Sequence, residues 1–292
     1  MAARTFFIGD HWVYYKIYGG EKTTDRLLIE VLKPFIDTRT EVSQWFFIRY
    51  ADPEPHLRLR LFVKDLEHLG NLLVQCNALL KPYLENDSLH NICIDTYQRE
   101  LERYGTQTIA LAESLFALDT LYTLDVCAVQ SDETTRLYAA ILGMDQLLRD
   151  FDLDLNARAA FAARNQAAFR KEFHTFKTTH RQLDAKFKQH QATLIQVLQG
   201  TSEAYAFLNA LHNQKSARQK PWADAVRSLL KENQPPIAQA DWMSSMIHLN
   251  LNRMFHTRQR QYEMLCYDFL SKVYQRMQYS ANNPASPTVS MT

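Results

Sequence analysis

Residues Trp45–Phe62 read WFFIRYADPEPHLRLRLF, two apolar runs around a turn. QWFFIRY (44–50) is rich in aromatic and β-branched residues, ADPEP (51–55) supplies turn chemistry, and HLRLRLFV (56–63) alternates strictly. The pattern predicts a β-hairpin. A strand repeats every two residues, so His56, Arg58 and Arg60 share one face and Leu57, Leu59 and Leu61 the other. Such a basic face is either simply solvated or the floor of a site that handles negative charge.

The surrounding sequence places this hairpin in a larger unit. Residues 11–20 (HWVYYKIYGG) predict a strand closed by two glycines, and 23–35 (TTDRLLIEVLKPF) a helix entered through N-cap residues. Residues 65–84 read as an amphipathic helix capped by Asp65, and 90–100 as a fourth strand. The order β-α-β-β-α-β is that of a split β-α-β, ferredoxin-like unit: an antiparallel sheet with both helices on one face. Leu57, Leu59 and Leu61 are then expected beneath the helices, with His56, Arg58 and Arg60 on an open face. The fold class is α+β, because no convincing strand follows Gly105. Helices are expected at about 107–127, 132–149, 156–175, 178–199, 202–213, 221–232 and 238–278. The expected organisation is a sheet region (1–105), a helical region completing one domain (106–278) and a disordered tail (279–292).

Composition narrows the function classes. The 292 residues are 46% hydrophobic, enough for a sizeable core. With 33 basic and 32 acidic side chains the net charge is +1, so the basic excess that phosphate-backbone binding needs is missing and no direct nucleic-acid contact is expected. Cys76, Cys93, Cys127 and Cys266 form no CxxC pair and read as free thiols of a reducing compartment. Signal-peptide and membrane-span patterns are lacking, so the expected location is the cytoplasm. HExxH, a glycine-rich phosphate loop, GxSxG and a dinucleotide fingerprint are all missing, and the ten histidines are scattered. Neither a cofactor nor a metal is expected.

Two further stretches carry candidate chemistry. In TYQRELERYG (96–105), Glu100 and Arg103 are three apart and become neighbours on a helical turn. That spacing fits an ordinary surface pair equally well as a glutamate orienting an arginine toward the basic face. In DWMSSMIHLNLNRMF (241–255), Met243, Ile247, Leu251 and Met254 form one helical stripe and Ser245, His248 and Asn252 another. A lone helical histidine is more often structural than catalytic. A Ser-His-Asn stripe within an apolar helix nevertheless suits the wall of a polar cavity, because each polar group needs a partner.

HxRxR at 56–60, ExxRYG at 100–105 and SxxHxxxNR at 245–253, in that order, together resemble the C-terminal elimination domain of class I lantibiotic dehydratases, also known as thiopeptide-type bacteriocin biosynthesis proteins. The opening WVYYKIY…TTDRLLIEVLKPFI fits as well, and the likeness runs from about Trp12 to the last helix, although residues 130–235 match only in helical character. Each motif alone is weak; the combination is specific. The resemblance implies a lyase that removes glutamate from glutamylated Ser/Thr of a precursor peptide, leaving dehydroalanine or dehydrobutyrine. It also implies a separate glutamyl-tRNA-dependent glutamylating subunit as partner, since the chain has no room for that domain; a homodimer is compatible with the sequence. By motif match the family's functional positions fall on Arg58, Arg60, Glu100, Arg103 and His248, with His56, Asn252 and Arg253 in support. His248 would exchange the proton, the arginines bind glutamate and enolate oxygens, and Glu100 position an arginine. The chain departs from the family's RYGG with RYGT at 103–106, which leaves the arginine in place. Relatives of the same fold include thiopeptide [4+2] pyridine synthases, which generally lose the arginine-histidine set. That activity, or a non-catalytic peptide-binding subunit, is the alternative.

Overall fold

The computed structural model describes residues 2–129, 132–233 and 235–283. Its elements begin with β1 (Thr5–Phe6) and β2 (Trp12–Gly19). A helix follows in three parts: α1 (Glu21–Arg26), a π-helical segment Leu27–Leu32, and α2 (Lys33–Asp37). Then come β3 (Val42–Ala51), β4 (Pro55–Val63), α3 (Leu69–Glu85), β5 (Leu89–Asp95), β6 (Tyr97–Gln98) and the short α4 (Leu101–Tyr104). The spatial order β3-β4-β2-β5, antiparallel throughout, is that of the split β-α-β unit. Leu57, Leu59 and Leu61 lie in one core with Val13, Ile17, Leu27, Leu28 and Leu72, beneath the two helices as their alternation requires.

The remaining helices are α5 (Ile109–Val129), α6 (Glu133–Asp150), α7 (Leu155–Glu172), α8 (Lys177–Gln199), α9 (Ala206–Leu229), α10 (Gln239–Met254) and α11 (Gln259–Asn282). α5 feeds both hydrophobic cores, Leu115 and Phe116 into the helical one and Leu124 into the one under the sheet. That double burial explains why its sequence is apolar on every side. None of the described helices is long and apolar enough to cross a membrane.

The secondary structure departs from the sequence expectations at several places. The fourth strand is two pieces, and β6 leaves the main sheet to pair with β1, a strand the sequence reading did not identify. The helices expected at 202–213 and 221–232 are one, α9, with Pro221 inside it. Its polar middle resembles a linker but is buried: Lys215 Nζ lies 2.5 Å from Asp119 Oδ1, and Gln219 Nε2 donates to Asp150 Oδ2 at 2.7 Å. Conversely, the single helix expected at 238–278 is two. The break at Phe255–Arg258 has no glycine or proline to announce it; Arg258 takes a left-handed conformation (φ 52°), and Gln259 Nε2 donates to the carbonyls of Phe255 and His256. α11 then runs to Asn282; of the tail expected from 279, residues 284–292 lie outside the described residues.

Candidate functional site: a basic sheet face meeting a histidine helix

The strand registers arrange the second face of the sheet in rows. Phe46, Arg60, Tyr14 and Asp95 form one; Ile48, Arg58, Lys16 and Cys93 the next; Tyr50, His56, Tyr18 and Asn91 the last. Lys16 is neutralised by Asp95. Arg58 Nε donates to His56 Nε2 at 3.2 Å, and its guanidinium lies 3.4 Å from the centroid of the Tyr50 ring. His56 Nδ1 sits 2.8 Å from the Glu54 carbonyl, an acceptor only, so Nδ1 carries the proton and Nε2 receives Arg58. Burial holds this imidazole below its usual pKa against the Glu54 bond, helped by Arg58 and Lys16. His56 therefore acts as a neutral brace. The two terminal amino groups of Arg58 make no hydrogen bond among the described residues.

Arg60 does not sit on an open face. β6 and α5 cover that end of the sheet, and the guanidinium lies within 4.5 Å of the Tyr14 ring centroid, 4.6 Å of Tyr97 and 5.3 Å of Phe46. It is only 7% exposed. Burial pulls its pKa down, while Tyr97, Tyr14 and Glu100 oppose the shift. A cavity of about 30 Å³ beside it, walled also by Glu100, Ile48 and Leu249, has room for water but not for an amino acid. A cation boxed by three rings contributes packing as well as charge, so Arg60→Ala is expected to lower unfolding stability by about 2–3 kcal/mol. Urea titration of the variant checks this.

Glu100 and Arg103 are paired as their spacing suggests, Arg103 Nε lying 3.1 Å from Glu100 Oε2, with both side chains more than half exposed. The turn that carries them docks on α10: the Tyr104 hydroxyl donates to the Ser245 carbonyl at 3.2 Å, and Trp242 Nε1 donates to the Tyr104 carbonyl at 3.3 Å. Gly105 ends the turn at φ 77°, and a Cβ there would fall within 2.5 Å of the Asn233 side chain. Glycine in the RYG motif is thus required twice, by conformation and by space.

On α10 the two stripes separate as the spacing predicts. Met243, Ile247, Leu251 and Met254 are buried, whereas Ser245, His248 and Asn252 are half-buried. His248 and Asn252 line a cavity of about 320 Å³ together with His56, Tyr50, Arg49, His256, Arg258 and Arg260. Glu21 is the acidic side chain among its lining residues. This cavity and the small one are neighbours: consecutive His248 and Leu249 line one each, as do Tyr50 and Ile48 on the same face of β3. His248 Nδ1 lies 2.9 Å from Glu263 Oε2, and that oxygen also accepts from Arg260 Nη1 at 2.7 Å.

The two supporting residues on α10 are largely structural. Asn252 accepts from the Arg49 amide and donates to the Arg49 carbonyl, both at 2.8 Å, so its amide is committed to holding α10 on β3. Arg253 is fully buried, donates through Nε to the Phe47 carbonyl at 2.8 Å and lies 3.7 Å from Asp119. Burial brings it down to about 10, which leaves it charged but out of reach of a substrate. The structure thus brings His56, His248 and Asn252 to one cavity, whose arginines are Arg49, Arg258 and Arg260, and Arg60 and Glu100 to the other; Arg58, held by His56, and Arg103, paired with Glu100, line neither.

Sequence reading missed Arg49, Asp25 and the wall from His256 to Glu263. Buried Asp25 on α1 accepts from Arg136 Nη2 at 2.7 Å; Arg49 Nη2 (2.5 Å) and His256 Nε2 (2.6 Å) approach it off the hydrogen-bond axis. These residues come from separate elements with no shared motif, so only their convergence marks them. Among the described residues no three His, Cys, Asp or Glu side chains cluster as a metal site requires.

A split β-α-β sheet joined to a helical bundle, with a helical histidine on the wall of a cavity between them, defines the class: an α+β domain. Residues 12–274 match the family described as "Lantibiotic biosynthesis dehydratase C-term", and the chain belongs to that family. It is 26% identical over 263 residues to the subtilin biosynthesis protein SpaB of Bacillus subtilis, a match covering 85% of this chain and 24% of SpaB. The chain therefore spans about a quarter of that relative's length. Its fold is similar to MibB, a tRNA-dependent lantibiotic dehydratase from Microbispora sp. 107891 (TM-score 0.72, 19% identity, 94% of this chain, 29% of MibB). It is also similar in fold to TbtD, a pyridine synthase from thiomuracin biosynthesis (TM-score 0.57, 15% identity, 91% of this chain, 100% of TbtD).

Proposed function

We propose that this chain is a lyase that eliminates glutamate from glutamylated serine or threonine of a precursor peptide, giving dehydroalanine or dehydrobutyrine. The observation that carries the reading is His248, its Nδ1 committed to a carboxylate, on the wall of an arginine-lined cavity. Family membership supports it. In the step, His248 takes the Cα proton, the freed electron pair becomes the Cα=Cβ bond, and the Cβ–O bond breaks with its electrons leaving on the glutamate carboxylate. That leaving group is a weak base and needs no general acid. Negative charge develops on the peptide carbonyl oxygen and on the departing carboxylate, so positive charge is what the site must supply.

Arg58 meets this need with both terminal amino groups uncommitted and its orientation fixed by His56 and Tyr50. Glu100 positions Arg103 for the same purpose. Arg60 acts from behind, as a buried cation beneath the face rather than as a hand on the substrate. The glutamyl ester is the product of a glutamyl-tRNA-dependent activity outside these residues. The test is mass spectrometry of a synthetic peptide carrying a glutamylated serine after incubation with the purified protein. Loss of glutamic acid and gain of a thiol-reactive alkene are expected. An unchanged peptide overturns the reading; joining of two dehydroalanines into a six-membered ring would place the chain functionally with the pyridine synthases.

A further inference from the structure

Resting on the reading of His248 as base, we propose that Glu263 is a positioning residue that fixes the tautomer of the His248 ring. The two lie on different helices, α10 and α11, and meet because the chain reverses at Phe255–Arg258. Glu263 is 4% exposed, and a carboxylate can only accept, so the ring nitrogen 2.9 Å away must be the one that bears hydrogen. In the neutral ring the lone pair then resides on Nε2, the edge turned away from Glu263, where it makes no hydrogen bond among the described residues. Free imidazole has no such constraint, so without Glu263 the ring could bury its lone pair against α11 and present an N–H to the cavity. A base in that tautomer cannot take a proton from the substrate.

Glu263 is itself held in place. Arg260 shares its Oε2 from one turn earlier and is anchored at its other end by two contacts to Glu172 on α7. Phe255 stacks on Tyr262 with centroids 4.0 Å apart and planes within 5°, which locks the reversal that brings Glu263 to His248. The remaining charged groups around the cavity (His56 and Arg49 from the sheet, His256 and Arg258 from the connecting loop, Glu21 from α1) are outside hydrogen-bond contact with the His248 ring. Glu263 is therefore the partner that decides the tautomer.

The test combines nitrogen NMR of histidine-labelled protein, recorded on the neutral ring, with kinetics on the glutamylated peptide. His248→Ala assigns the signal. Wild type is expected to show a protonated Nδ1 and a bare Nε2 at His248, and Glu263→Ala to reverse them. In that variant kcat should fall on the order of 100-fold with KM nearly unchanged, and Glu263→Asp should recover part of the loss. A bare Nδ1 in the wild type overturns the proposal without needing any variant to fold. So does a Glu263→Ala protein that keeps both its tautomer and its kcat, or one in which only KM rises. Full turnover by His248→Ala would sink the reading of His248 as base instead, while the nitrogen spectra still decide what Glu263 does.

Discussion

Replacing His248 by alanine should leave glutamyl adducts on the peptide, with elimination slowed by at least about 100-fold, the usual contribution of a positioned general base. Folding should be little affected, because the ring is half-buried, lies on the cavity side of α10 and contributes nothing to the stripe of Met243, Ile247, Leu251 and Met254. Arg58→Ala belongs in the same assay, since it removes the guanidinium with uncommitted donors while the leucine face beneath stays intact. If both variants return fully dehydrated peptide with no adducts, the proposed chemistry is wrong.

Asp25→Ala should have the largest effect on stability, about 3–5 kcal/mol, because it removes the buried carboxylate that Arg49 and Arg136 share. These two guanidinium groups, on β3 and α6, tie the sheet to the helical region through one aspartate on α1. Burial alone would push the Asp25 carboxyl up; the contact from His256 and the charges of Arg49 and Arg136 outweigh it and hold the pKa well below the usual carboxylate range. A carboxyl depressed in the folded state contributes its stability above the unfolded value of about 3.9 and loses it as pH falls through the folded one. The wild-type Tm is therefore expected to drop as pH is lowered below about 4, and Asp25→Ala, already low at neutral pH, to lose that part of the slope. Calorimetry across pH 3–7 decides it; parallel curves for the two proteins would refute the assignment.

Much of this was legible because strands and helices print their periods on the chain. The alternation of HLRLRLFV placed Leu57, Leu59 and Leu61 under the helices, and the turn ADPEP fixed their partner strand. The helical spacing marked His248 and Asn252 as the polar wall of α10, although Ser245 of the same stripe lines neither cavity. Local pattern could not say what covers a face. Arg58 and Arg60 look identical in the sequence, two residues apart on one strand. Yet Arg60 is roofed by Tyr97 and the end of the sheet near α5, while Arg58 stays half-open. Likewise nothing in the local pattern shows that the Asn252 amide and Arg253 Nε bond the backbone of β3, or that Arg253 is fully buried.

The sequence by itself determined the order of elements, the two faces of the sheet and the helix face that carries His248, because those depend on neighbours a few residues away. Only the tertiary structure decided which group that histidine is paired with. On one unbroken helix, His248 and Glu263, fifteen residues apart, would be separated by about 22 Å. The reversal at Phe255–Arg258 brings them to 2.9 Å. It is stabilised by a ring stack, a glutamine on carbonyl ends and a distant aspartate, interactions made across space that leave no periodic trace along the chain.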